Sequence, residues 1–369
     1  MNKIESSKIL PMKKVDIRGF SHQAALLSIL MAYDQCKPWI CNNFIQIFSL
    51  KNLSSSWRSG TVDFFYMDYD DFRNYEFTAN PWIRWFEIPV QLIYNSQFNI
   101  IDFIIENIKR DYYLYIEIDT YYIPYYSDYQ KKHRIHWMYV YGFDAEKSTI
   151  NCLDNFAGGI FKMKNIETKY IQEGFNGSWI NYEKQLKNEK ELSKEDKIGP
   201  SIGLFQVIPY NEEKDNSEIY KLNIPRITCL LKNYLSRTEQ LMQYRYSEYY
   251  IYGISVYNEL IKFTTTGWSA DKLVDVRGFC SMRDHKALML WRLRFLQEER
   301  KIDLEEIIEG YMEIYELMSK SIMIIVKHNY SAIRKQKSLE YVEKYLKQCE
   351  KQEELLLIRL IEVLNSVID

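Results

Sequence analysis

The chain lacks a long apolar run, a charge bias and a cysteine pattern, and each absence argues against a class of function. No apolar stretch reaches the roughly 18–20 residues needed to span a bilayer as a helix. No secretory-type segment follows Met1-Asn2-Lys3-Ile4-Glu5. The expected setting is therefore the cytoplasm, with no membrane partner. Lys and Arg number 48 against 50 Asp and Glu, a formal charge of −2, so nucleic acid is not an expected ligand. The six cysteines, at 36, 41, 152, 229, 280 and 349, form neither a CxxC nor a Cys/His ligand spacing, so no metal site is expected. Reduced, buried thiols are the plain expectation for most of them. Cys280, three residues from both Arg277 and Arg283, is the thiol singled out for reactivity.

What the sequence does have is length, apolar content and tyrosine. Its 369 residues suffice for two or three domains, and 47% of them are hydrophobic. There are 31 tyrosines beside 18 Phe and 8 Trp. Tyr121-Tyr122 and Tyr125-Tyr126 are candidates for lining a pocket for an aromatic or extended ligand, although core and interface packing is the default use of tyrosine.

The pattern changes along the chain. Residues 21–35 combine good helix formers with apolar side chains around most of the circumference, which predicts a helix inside a domain. Ser21 is placed to be its N-cap, after Gly19. Residues 112–118 read as a strand ended near Pro124. Residues 136–142 and 149–153, joined by a turn at 144–147, read as a β-hairpin, with a further short strand at 160–163 and another at 204–208. Residues 183–200 are densely charged and end in Gly-Pro, which predicts an exposed segment. From about 217 the spacing is helical, over 226–240, 250–263, 284–299, 303–327 and 332–367. The expected fold class is thus α+β: an antiparallel sheet with a buried helix in residues 1–210, then a helical bundle in residues 211–369.

The hairpin carries the first chemical argument. With its turn centred between residues 145 and 146, His136 and Asp154 stand nearly opposite each other across the strands. Facing residues share a sheet face, with Cβ atoms roughly 4.5–5.5 Å apart. An imidazole and a carboxylate held so can hydrogen-bond, which fixes the tautomer and stabilises the imidazolium. A register shift of one residue would undo this. Ser21, at the start of the buried helix, fits the nucleophile position of a papain-like site, where the helix dipole and first-turn N–H groups favour negative charge. Taken singly, Ser21 is an N-cap serine, His136 a satisfied structural histidine and Asp154 a turn-initiating acid. The coincidence of the three points to an active site. Gln23 and Asn43 are candidate oxyanion donors.

Several stretches resemble the family of butirosin biosynthesis protein H. They are Gly19–Ala24 through Leu30, Ile116–Asp119 through Ile123-Pro124-Tyr125, His133 through Asp144, and Leu153–Phe156. Further matches are Tyr252-Gly253-Ile254 with Val256-Tyr257, and Asp275–Phe279 with Asp284-His285-Lys286. The resemblance implies a papain-like, cysteine-protease-like N-terminal domain with a buried nucleophile helix. It implies an acyltransferase or amide synthetase of antibiotic and other secondary-metabolite biosynthesis. Such an enzyme takes an acyl group from a carrier-protein thioester and passes it to an amine, a diamine in closthioamide-type polythioamide assembly. The partners would be an acyl or peptidyl carrier protein and a small-molecule amine. No cofactor is implied beyond the phosphopantetheine that arrives on the carrier. Asp119, Tyr121 and Tyr125, in the matching stretches, are candidate substrate-binding residues. The helical half would supply cover and part of the substrate groove.

One residue departs from the family pattern: cysteine is expected where Ser21 stands. A thiolate attacks thioesters better than a neutral alcohol, and serine would need His136 to remove its proton during attack. Three explanations stay open: a Cys-to-Ser substitution, a natural functional serine, or a site that only binds. A peptidase or thioesterase of the same fold and a non-catalytic metabolite-binding relative are the alternatives to amide formation.

Overall fold

The computed structural model describes residues 6–17, 19–50, 62–64, 80–95, 99–187, 200–209, 211, 217–236, 250–266, 273–331 and 336–367. In chain order the elements begin with β1 (Ser7–Ile9), α1 (Ser21–Leu30), α2 (Lys37–Asn42), β2 (Ile47–Leu50), β3 (Val62–Phe64), β4 (Ile83–Pro89), α3 (Val90–Asn95) and α4 (Ile100–Lys109). Next come β5 (Tyr113–Asp119), β6 (Ile135–Asp144), β7 (Thr149–Phe156), β8 (Ile160–Glu167), α5 (Thr168–Lys187) and β9 (Ser201–Val207). The helical part holds α6 (Ile224–Leu235), β10 (Tyr250–Tyr252), α7 (Val256–Thr266), α8 (Arg277–Arg300), α9 (Glu305–Tyr330) and α10 (Gln336–Asn365). The chain is therefore α+β, with an antiparallel sheet region followed by a C-terminal helical region. No helix among the described residues is long and apolar enough to cross a membrane.

The chain divides into two compact units, Met1–Asp34 with Glu76–Asn211, and Gln35–Tyr75 with Glu212–Asp369. A single division after residue 210 misses one thing: residues 35–75 leave the first unit and join the second. Most of the charged segment expected to be exposed, residues 188–199, lies outside the described residues.

The first unit is built on a seven-stranded antiparallel sheet in the order β4-β9-β5-β6-β7-β8, with β1 added to β6. Alternation of apolar side chains explains the central strands: Leu114, Ile116 and Ile118 of β5 are fully buried, as are Met138 and Val140 of β6. The predicted hairpin turn is present. The Asp144 carboxylate accepts the Lys147 N–H at 3.0 Å, and Ser148 takes a left-handed φ of 51°. The strand expected at 204–208 runs from 201 to 207 and inserts between β4 and β5, an arrangement that local sequence does not encode. Much of the tyrosine is packing here: Tyr115 stacks on Tyr139 at 4.1 Å and on Trp137 at 4.6 Å.

Two helices follow from plain rules. In α1 every residue from Gln23 to Leu30 is buried, as its apolar circumference requires. In α4 the Asn99 side chain caps the first turn by accepting the Ile101 N–H at 2.8 Å. Ile100, Ile104 and Ile108 then bury one stripe at a spacing of four.

The second unit is a helical bundle that also carries a small sheet, β10-β2-β3, not foreseen from the helical spacing. Residues 250–252 form a strand rather than the start of the expected helix over 250–263, because Tyr-Ile-Tyr favours the pleated sheet. Gly253 then turns the chain with φ +61°, where a Cβ would lie 2.4 Å from the Tyr234 carbonyl oxygen.

Helix α8 runs through this unit with Arg283, Asp284, His285, Lys286 and Arg292 all buried. Burial of these charges is tolerated because each has partners. The Lys286 ammonium donates to both Glu353 carboxylate oxygens, at 2.7 and 2.6 Å, to the Tyr234 hydroxyl at 3.1 Å and to His285 Nδ1 at 3.0 Å. His285 Nε2 donates to the Ile45 carbonyl at 2.8 Å, which leaves Nδ1 as the acceptor. Tyr311 donates to Glu353 as well, at 3.1 Å. Arg292 donates to the carbonyls of Cys41, at 2.8 Å, and Asn43.

Lys286→Met is expected to destabilise the protein by about 3–5 kcal/mol in chemical unfolding, because Glu353 is left charged and unmatched. Adding Glu353→Leu to that variant should recover most of the loss. Burial first, and the Lys286 charge second, hold the His285 imidazole well below its ordinary 6.5. The unfolded chain therefore takes up a proton that the fold refuses. Stability present above pH 6.5 should fall as the pH drops below it, and His285→Asn should flatten that part of the stability–pH curve.

Candidate active site

The site begins at an irregularity in the hairpin. Near the turn, Gly142 faces Asn151 and Phe143 faces Ile150. Beyond Tyr141 the register shifts, so that Val140 faces Cys152 and Tyr139 faces Leu153. Tyr141 is the extra residue of a β-bulge. Continuing the inner register puts Asp154 opposite Met138, not opposite His136 as the turn-centred register would have it. His136 faces Ile118 on its other side. His136 and Asp154 are thus diagonal neighbours on one face of the sheet, within reach of long side chains. Without the bulge, Asp154 would face Tyr139 and lie on the opposite face.

Gly142 permits the approach of β1 at this point, since a Cβ there would lie 2.7 Å from the Lys8 carbonyl oxygen. The carbonyl of Tyr141 in turn accepts the Leu10 N–H at 2.8 Å. The partner of β6 along this edge changes from β5 to β1 at the bulge.

The pair itself is close. His136 Nε2 lies 2.7 Å from Asp154 Oδ2, with Asp154 fully buried and the His136 side chain 30% exposed. A carboxylate only accepts, so Nε2 carries the hydrogen and Nδ1 is the nitrogen left to act as a base. Asp154 Oδ1 accepts the Asn155 N–H at 2.7 Å. Its Oδ2 also accepts the hydroxyl of Tyr126, from the loop between β5 and β6. Burial, and then the Asp154 charge, hold the Tyr126 phenol well above its ordinary 10, so it remains a donor.

Helix α1 packs against β7, the strand that carries Asp154. Ser21 is its first residue rather than its N-cap. Phe20 is the N-cap, with extended φ and ψ of −122° and 131°, and supplies no capping side chain. Ser21 is half-buried, and among the described residues its hydroxyl makes no hydrogen bond, to His136 or elsewhere. Gln23, two residues on, is 2% exposed. His22, between them, is pushed down to about 4 by burial and is neutral near neutral pH. Asn43, the other candidate oxyanion donor, belongs to the second unit. There its amide donates to the Trp39 carbonyl at 2.7 Å and its oxygen accepts from Arg226 at 3.4 Å.

The candidate substrate residues are partly engaged. Asp119, 1% exposed, accepts the N–H groups of Tyr121 at 3.0 Å and Arg134 at 3.1 Å, and its Oδ2 lies 2.6 Å from His133 Nδ1. Those bonds clip the loop between β5 and β6. Tyr121 stacks on His133 at 4.1 Å. Tyr125 sits at the surface, with Lys164 5.0 Å from its ring centre.

Four of the six thiols are buried and poorly suited to the role of nucleophile. Cys152, on the same strand as Asp154, is held well above its ordinary 9.0 by burial and then by the Asp154 charge. Burial pushes Cys36, Cys41 and Cys349 up to about 12. Cys280, the thiol between two arginines in sequence, is half-buried within α8. Among the described residues no group of three or more His, Cys, Asp or Glu is placed to hold a metal ion.

No protein-family model matches the chain, and no curated protein matches it either. The resemblance described above therefore rests on its short stretches of sequence.

Nitrogen NMR of labelled protein should find neutral His136 with its hydrogen on Nε2. A hydrogen on Nδ1 instead would contradict the pairing with Asp154.

Proposed function

We propose that the chain is an amide-forming acyltransferase of secondary-metabolite biosynthesis, with a papain-like first unit in which Ser21, His136 and Asp154 act together. The observation that carries the reading is the 2.7 Å contact between part-exposed His136 and fully buried Asp154, the latter on β7, the strand against which α1, headed by Ser21, is packed. A buried carboxylate that orients an accessible imidazole is the arrangement general base catalysis needs.

The reaction follows from those roles. The Ser21 hydroxyl attacks the carbonyl carbon of a carrier-bound thioester as its proton passes to His136 Nδ1. First-turn N–H groups of α1 would offset the developing oxyanion. The intermediate collapses, the C–S bond breaks, and the pantetheine thiolate leaves with the proton from His136. An amine then attacks the acyl-serine ester and loses a proton to His136. The C–O bond breaks and the Ser21 oxygen recovers that proton, leaving an amide. An amide rather than an acid forms only if the amine reaches the ester before water does.

A second reading has one observation in its favour. Among the described residues no hydrogen bond joins the Ser21 hydroxyl to His136, as suits a relative that binds a metabolite without turning it over.

Incubation with a carrier-bound acyl thioester should add the acyl mass to residue 21 in intact-protein mass spectrometry. His136→Ala should slow adduct formation by about 10²–10⁴-fold, and Ser21→Cys should speed it. A folded Ser21→Cys variant that never acylates sinks the covalent mechanism, and tight metabolite binding that survives His136→Ala then supports the binder. Amide product with added amine marks a transferase, whereas free acid alone marks a hydrolase of the same design.

A further inference from the structure

The Asp154 carboxylate is shared between two donors on one oxygen. Oδ2 accepts both His136 Nε2–H and the Tyr126 hydroxyl, while Oδ1 is taken by the Asn155 N–H. Tyr126 is not part of the sheet. It belongs to the loop after Pro124 and is 4% exposed, with its ring 5.1 Å from Phe156 and edge-on to His136 at 5.8 Å. The loop backbone fixes it on both sides: Tyr126 N–H donates to the Ile123 carbonyl at 3.2 Å, and the Tyr125 carbonyl accepts the Ala157 N–H at 2.9 Å. A buried phenol could have satisfied its hydroxyl on any carbonyl. This one is spent on the oxygen that orients the histidine.

Building on the acyl-transfer reading, we propose that Tyr126 is a positioning residue that tunes His136 through Asp154. A hydrogen bond from the phenol draws charge from Oδ2 and so limits how strongly the carboxylate stabilises the imidazolium. That limit matters because His136 must take a proton from the attacking hydroxyl and then release it to the departing thiolate. Without the phenol, Oδ2 would carry more charge and hold the imidazolium more firmly against that release.

The other titratable groups around the pair lie on the neighbouring elements. Lys162 of β8 stands directly across from Asp154, Cys152 lies on β7, and Arg134 lies just before β6, where its side chain is tied to Asp128 at 2.6 Å. Tyr113, Tyr115, Glu117 and Asp119 of β5 occupy the opposite face, because Ile118 is the residue that faces His136. Among the described residues, none of these groups hydrogen-bonds Asp154.

The test is an NMR titration of the His136 ring in the full chain, which needs no substrate. Tyr126→Phe should move the midpoint upward by about 0.5–1 pH unit. Replacing Tyr126 with 3-fluorotyrosine, a stronger donor of nearly the same size, should move it downward. The fluorinated variant also serves if the phenylalanine variant does not fold. The acid limb of the acylation rate should follow both shifts. A midpoint that stays put in both variants overturns the proposal and makes the hydroxyl a mere filler of a buried acceptor. The two readings fail separately. Moving midpoints with no acyl adduct sink acyl transfer and leave the tuning intact, whereas an adduct with unmoved midpoints does the reverse.

Discussion

Side chains alternate between the two faces of a sheet, so any pair of residues on neighbouring strands is committed to the same face or to opposite faces by the register alone. The register that leaves the Asp144–Thr149 turn would put His136 and Asp154 on opposite faces, with a sheet between them. One extra residue, Tyr141, reverses that parity. The bulge is also where β6 exchanges β5 for β1 along one edge, so the N-terminal strand and the candidate dyad depend on the same local distortion. Everything proposed for the site, from the tautomer of His136 to the role of Tyr126, presupposes it.

The two units treat buried charge differently. In the helical unit, Lys286 and Glu353 are sealed from solvent, with Tyr234, Tyr311 and His285 completing their hydrogen bonds. Such a cluster is satisfied wholly by protein partners and ties α8 to α10. In the sheet unit, Asp154 is equally buried, yet one face of its histidine partner reaches solvent. His133 and Asp119 form a third arrangement, in which an exposed imidazole is tethered to a buried carboxylate that mainly holds a loop. Exposure of the imidazole, beside a strand that α1 packs against, separates the candidate site from the sealed Lys286–Glu353 cluster.

Much of the architecture was legible because it rests on periodicity and turn chemistry. The hairpin around Asp144, the buried helix at 21–30 and the long helices after 277 all follow from spacing that one element carries alone. The bulge was not legible, since Tyr141 is as good a strand residue as its neighbours; the dyad was found through a register that proved to be wrong by two positions. Ser21 read as a cap because serine favours that place, but Phe20 adopts the capping backbone. Tyr126 read only as a candidate pocket-lining tyrosine, because no spacing rule ties a loop residue to a strand 28 positions on. Asp284-His285-Lys286 stood out only as a short match to a family and the start of a helical spacing, and only tertiary partners as distant as Ile45 and Glu353 explain its burial.

The excursion of residues 35–75 into the second unit has a consequence for how the chain comes into being. His285 bonds the carbonyl of Ile45 across 240 residues of sequence. During synthesis at roughly 5–20 residues per second, β2 and β3 emerge on the order of ten seconds to a minute before the helix that receives them. Over that interval the sheet of the first unit can close around a looped-out segment whose strand edges have no partner. The order of assembly is thereby set by connectivity: the first unit can condense early, while the second must gather an early segment and a late one.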